Sequence, residues 1–147
     1  MNALVCKVCG HIALSGDAPE NCPVCFSPKT AFEDKADVIK TPENPAEMTE
    51  GEKKHTPNLT IVKECGLIPG VCQDVHAKMG EIIHPMTPEH SITWIDFYVD
   101  KVFVSRITLT PDKCQPAGAL HLNQGGGKLS VISNCNVHGS WLAEADL

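Results

Sequence analysis

Two CxxC pairs, Cys6-Lys-Val-Cys9-Gly10 and Cys22-Pro-Val-Cys25, carry chemistry in their spacing. Each pair can fold into a tight knuckle that aims two thiolates at one ion, with Gly10 easing the first turn. Two knuckles complete a tetrahedral shell of four sulfurs, which suits zinc or a single iron. Covalent haem attachment would need a histidine directly after a knuckle, and Gly10 and Phe26 stand there instead. A second ligand set lies further along. His84-Pro-Met-Thr-Pro-Glu-His90 carries two imidazoles, with Pro85 and Pro88 stiffening the segment between them. Cys135-Asn-Val-His138-Gly139-Ser-Trp141 supplies a thiolate and an imidazole in a stretch that reads as a turn, and His55 stands in Lys53-Lys54-His55-Thr56-Pro57. Together these residues predict a metal site of mixed histidine and cysteine type.

The elements that must position these ligands are mostly β. Ser91–Val99 and Val102–Leu109 are rich in β-branched and aromatic residues, and only Asp100-Lys101 separates them. They predict a hairpin with a two-residue turn. Leu59–Lys63 and Lys128–Ser133 are further short strands, and no stretch has clear helical periodicity. Several short strands in the last two-thirds of the chain fit a sandwich or a barrel. The polar, proline-punctuated run 37–51 has almost nothing to bury and reads as a linker. Residues 1–36 are then a small four-cysteine domain and 52–147 a β domain.

Bulk properties narrow the function. A net charge of −6 over 147 residues argues against a nucleic-acid binder. No apolar run approaches the roughly 20 residues of a membrane helix, and Met1–Val5 runs straight into Cys6 and Lys7 rather than into a secretory signal. The expectation is a cytoplasmic protein whose paired cysteines bind metal rather than form disulfides.

Residues 6–33, with CxxCG, Ala18-Pro19-Glu20, CPxC and Pro28-Lys29 leading to Phe32, resemble the short rubredoxin-like domain of rubrerythrins. That resemblance implies one iron in the thiolates of Cys6, Cys9, Cys22 and Cys25, passing single electrons; zinc fits the same ligands. HPMTPEH, the CNxHG segment followed by Trp141, and the upstream Lys-His-x-Pro resemble the superoxide reductase family, the desulfoferrodoxin and neelaredoxin group. This second resemblance runs from about Lys53 to Trp141. It implies an immunoglobulin-like β-sandwich and a second iron held by His55, His84, His90, His138 and Cys135, five ligands that leave a sixth position open. The activity implied is one-electron reduction of superoxide to hydrogen peroxide. A thiolate ligand would push electron density onto the iron, as cysteinate does in some haem enzymes. An external donor, such as rubredoxin or its reductase, would restore the electron, and the subunits would form a dimer or tetramer.

The family places Glu-Lys before the first ligand histidine, the lysine to attract the anion and the glutamate as a sixth ligand of ferric iron. Here the order is Glu52-Lys53-Lys54-His55. Lys54 matches the lysine, whereas Glu52 stands one residue early as a candidate sixth ligand. Cys65, Cys72 and Cys114 fit no knuckle and read as small buried apolar residues, with a Cys65–Cys72 disulfide as the alternative. His11, His76 and His121 receive no role, and Trp94 and Trp141 read as core or site-wall residues. Two rival functions remain open on the residues alone: a two-centre electron carrier, and a zinc-stapled interaction protein without redox activity.

Overall fold

The computed structural model describes residues 2–123 and 125–147. The N-terminal thirty-five residues form a small sheet in the order β2-β1-β3, from β1 (Ala3–Cys6), β2 (Ile12–Ala13) and β3 (Phe32–Lys35). The rest is a sandwich. One sheet runs β4-β11-β10-β7-β8, from β4 (Ile39–Lys40), β7 (Ile92–Val99), β8 (Val102–Thr108), β10 (Lys128–Cys135) and β11 (Gly139–Asp146). The other runs β5-β6-β9, from β5 (Pro57–Val62), β6 (Cys72–Met79) and β9 (Ala117–Asn123). Val75, Ala77 and Met79 of β6 meet Ile95 and Phe97 of β7 and Leu129 and Val131 of β10 in the core between the sheets.

The hairpin forms where its turn chemistry places it. Asp100 and Lys101 both take positive φ, 48° and 67°, as the two-residue turn matching the twist of the flanking strands requires. β7 is apolar on both faces because both are covered. Ile95 and Phe97 face the sandwich core, whereas Trp94 and Tyr98 join Val5, Ile12 and Ile39 in a second core shared with the N-terminal sheet.

This second core corrects two expectations. Part of the 37–51 segment is structural: Ile39 is buried, and β4 pairs in parallel with β11. Two adjacent apolar residues, Val38 and Ile39, in an otherwise mostly polar run are too weak a signal to read without the partner strand. The segment also ends in a helix, α1 (Glu50–His55), whose six residues are too few to display a helical period. Its start was nonetheless written in the Thr49-x-x-Glu52 spacing. The Thr49 side chain accepts from the Glu52 amide at 3.2 Å, and Glu52 accepts from the Thr49 amide at 2.8 Å, closing a capping box.

The N-terminal sheet is docked through polar contacts as well. Arg106 of β8 donates from Nη1 to the Cys9 carbonyl at 2.7 Å and from Nη2 to Asp96 at 2.8 Å, with its guanidinium 3.8 Å above the Trp94 ring. Tyr98 donates its hydroxyl to the Ile12 carbonyl at 2.8 Å. His11 has a place after all, buried with Nδ1 3.3 Å from the Asp96 carboxylate.

Candidate metal centres

α1 ends on His55 and sets its ring. Nδ1 donates to the carbonyl of Gly51, one turn back, at 2.7 Å, which leaves Nε2 as the free lone pair. His84 is fixed in the same way, with Nδ1 2.7 Å from the Pro85 carbonyl. The two free nitrogens face each other at 3.2 Å, and His55 Nε2 also lies 3.1 Å from His138 Nδ1. Cys135 Sγ is 3.7 Å from His138 Nδ1 and accepts the His138 amide at 3.4 Å. His90 completes the group, its ring 4.6 Å from that of His84 and 5.0 Å from that of His138. His90 Nε2 is buried without a hydrogen-bond partner.

Lone pairs converging from several imidazoles, with one buried nitrogen left unpaired, are what a cation would satisfy. The donor set of four imidazoles and one thiolate fits a transition-metal ion such as iron. The burial of the rings acts in the same direction. Burial pushes His84 down to about 4 and lowers His55 and His90 as well, so these rings stay neutral and able to ligate near pH 7.

The loops that carry the ligands are clamped together. Asn136, the residue after Cys135, accepts the Ser91 amide through Oδ1 at 2.9 Å and donates from Nδ2 to the Glu89 carbonyl at 3.0 Å. It thereby holds the His90 loop against the Cys135–His138 turn. Gly80 lies so close to α1 that a Cβ there would sit 2.2 Å from the Lys53 carbonyl; no larger residue fits. Trp141 stacks on His55, ring centres 5.3 Å apart.

Lys40 escaped sequence analysis altogether. It donates from Nζ to the His138 carbonyl at 2.7 Å and sits 5.9 Å from the centre of the Trp141 ring. Only the pairing of β4 with β11 brings it there, and no local pattern announces that.

The charged residues before His55 divide. Lys54 is 3.2 Å from Glu50 on the exposed side of α1, close enough to His90 to disfavour a second positive charge there. Lys53 lies 3.9 Å from Glu81. Glu52, the candidate sixth ligand, has both carboxylate oxygens engaged by backbone amides, Oε1 by Glu43 at 2.9 Å and Oε2 by Thr49 at 2.8 Å. These two bonds hold its carboxyl below the usual carboxylate range. Replacing Glu52 by Ala should therefore weaken the helix start and lower the unfolding midpoint, because the Thr49 and Glu43 amides lose their acceptor. Urea unfolding of the variant checks this, and an unchanged midpoint would show that the capping box adds nothing.

The four N-terminal cysteines also converge. Cys6 and Cys25 lie 3.6 Å apart through their sulfurs, and Cys9 and Cys22 3.5 Å apart. All four donors fall within 4.8 Å of one another, a closed group of thiols fitting one zinc or iron ion. The Ser27 hydroxyl and amide lower Cys25 to about 6.

Comparison with known proteins agrees with this geometry. The sequence profile of the desulfoferrodoxin family matches residues 47–144. The chain belongs to that family. A rubrerythrin-type, rubredoxin-like domain matches residues 5–33. A superoxide reductase of Pyrococcus abyssi is 33% identical over 106 residues, covering 65% of this chain and 88% of that protein. A desulfoferrodoxin homologue of Archaeoglobus fulgidus is 29% identical over 142 residues, 96% of this chain and 94% of its own length. Among solved structures, a superoxide reductase from Nanoarchaeum equitans superposes with a TM-score of 0.59 at 30% identity, covering 74% of this chain and 99% of that one. Among the described residues, no helix of this desulfoferrodoxin-family chain is long and apolar enough to cross a membrane.

Proposed function

We propose that the protein is a superoxide reductase, reducing superoxide by one electron and two protons to hydrogen peroxide. The observation that carries this reading is the convergence of His55, His84, His90, His138 and Cys135, five donors from three separate segments of the chain. These five residues would hold an iron ion, and that iron would supply the electron. The desulfoferrodoxin-family profile and the superoxide reductases among the relatives support it.

The chain's own residues do the rest. Burial keeps His55, His84 and His90 neutral, and the Gly51 and Pro85 carbonyls hold two of them in the tautomer that ligates. His138 is exposed, so a small anion approaches from its side. Lys54 and Lys40 provide a local positive field in a protein whose net charge is negative. Glu52 serves the helix start, and in this reading it does not act as a sixth ligand.

The four-cysteine centre would hold a second iron and relay electrons from an external donor such as rubredoxin or its reductase. Supporting this, Arg106 bonds to the Cys9 carbonyl and covers the Trp94 ring, and Trp94 pairs across the sheet with Asn134, the residue before Cys135. A packed route thus joins the two clusters.

Anaerobic protein with two irons per chain, oxidised stoichiometrically by a pulse of superoxide with peroxide as product, is the expected result. Oxygen evolution in its place would make the reaction a dismutation, and zinc in both sites would end the redox reading. Lys54→Ala is expected to slow superoxide capture about 10-fold at low salt and to flatten its ionic-strength dependence, as loss of a steering charge does. Pulse radiolysis across a salt series reads both effects, and identical curves for variant and parent would remove Lys54 from anion capture.

A further inference from the structure

Among the described residues a third group of metal donors gathers away from both centres: Cys65, Cys72, Asp74 and His121, whose ligand atoms all lie within 4.8 Å of one another. His121 Nδ1 is 3.1 Å from Cys65 Sγ, 3.4 Å from Cys72 Sγ and 2.6 Å from Asp74 Oδ1. Cys72 Sγ is 3.9 Å from Asp74 Oδ1. We propose that these four residues form a third metal site, which binds one thiophilic divalent ion of the zinc type.

The placement follows from register. Cys72 and Asp74 are two residues apart on β6 and so share a face, and Asp74 pairs directly with His121 on β9. Val75 and Ala77 point into the core, so the cluster lies on the opposite, outer face of the three-stranded sheet. The loop between β5 and β6 brings Cys65 over this face, pinned by its amide bonding to the Cys72 carbonyl at 3.1 Å. β6 runs from Cys72 to Met79, and the His84 amide bonds to the Met79 carbonyl. At about 3.4 Å per residue the cluster is therefore about 20 Å from the histidine site.

The local geometry of Cys65 points to a thiolate. Its sulfur accepts the amides of Leu67 at 3.3 Å and Ile68 at 3.4 Å, two and three residues onward. Cys22 of the four-cysteine group is served in the same way by the amides of Val24 and Cys25. Amides aimed at a sulfur stabilise its anion, the form that binds metal. Two thiolates, one imidazole and one carboxylate are a four-coordinate donor set for zinc. Without a cation the arrangement is costly. One nitrogen, His121 Nδ1, faces three acceptors and can donate to only one of them. A divalent ion at the centre would displace the thiol protons to solvent and satisfy all four groups together. It would also staple the 65–72 loop, with its exposed Leu67 and Val71, onto the sheet.

The test is a Co(II) titration of the anaerobically purified, iron-loaded full chain, with Zn(II) content measured in parallel. Wild type is expected to bind one more equivalent of either ion than Cys65→Ser or His121→Ala. Its Co(II) difference spectrum should carry thiolate charge-transfer bands that both variants lack. His121 is half exposed and its replacement should leave the fold intact, which the unchanged visible bands of the iron centres would verify. Equal metal binding in wild type and both variants would overturn the site. So would a Cys65–Cys72 disulfide in protein isolated under anaerobic conditions, seen as a mass lower by two hydrogens.

Discussion

Cys135→Ser is expected to lower superoxide reduction per bound iron by more than about 100-fold and to abolish the thiolate-to-iron absorption of the oxidised histidine site. Removing groups that merely orient metal ligands costs about 10–100-fold, and Cys135 is proposed as a ligand itself. Cys135 is 2% exposed at the end of β10, its sulfur fixed by the His138 amide and set beside His138 Nδ1. Serine offers a harder, shorter-reaching oxygen that stays protonated near neutral pH, so the electron density a thiolate donates is withdrawn. Measuring iron content alongside pulse-radiolysis rates separates loss of iron from loss of reactivity. A rate per iron within a few-fold of the parent would remove Cys135 from the reacting centre.

The second large effect concerns the joint between the N-terminal sheet and the sandwich. Asp96→Ala should destabilise the chain by about 3–5 kcal/mol, the cost of leaving a buried charge without its partner. Asp96 is fully buried, holds Arg106 through both carboxylate oxygens, and lies 3.3 Å from His11. Burial works against the Arg106 charge, and Asp96 more than offsets it. The same guanidinium reaches the Cys9 carbonyl and covers Trp94. Without Asp96 the variant strands a cation between the four-cysteine knuckle and the sheet. Urea unfolding of iron-loaded protein, followed by the absorption of the iron proposed for the four-cysteine centre and by tryptophan fluorescence, tests this. The two transitions should coincide in the parent and separate in the variant, the absorption failing first. Coincident transitions at an unchanged midpoint would show that docking rests on the apolar contacts of Val5, Ile12 and Tyr98 instead.

The two predictions differ in how far the sequence anticipated them. Cys135 was identifiable from Cys-Asn-x-His-Gly, because a ligand pair in a turn is a local feature. The same holds for the CxxC knuckles and for Asp100-Lys101, whose positive φ values confirm the turn. Strand β7 was legible too, through its β-branched and aromatic run. Asp96 gave no signal: a carboxylate in a strand looks solvent-facing until Arg106 and the N-terminal sheet close over it. Short or mixed elements also escaped. β9 and β11 alternate with small and charged residues, and α1 has too few residues for a period to emerge.

Glu52 marks the same boundary inside the site. The family resemblance suggested a ligand although Glu52 stands one residue early, whereas in the fold its carboxylate accepts the amides of Thr49 and Glu43. Cys65 and Cys72 were related in the sequence only through the alternative of a disulfide and His121 received no role, yet β6–β9 register and one loop bring all three within ligand range. The sequence by itself determined which donors exist, which of them are paired by a short turn, and that the framework is β. Only the tertiary structure decided which distant donors meet, which lone pairs stay free and which charges are buried. Spacing of a few residues fixes local geometry through φ and ψ, whereas contacts between far segments depend on strand register and packing that no short window contains.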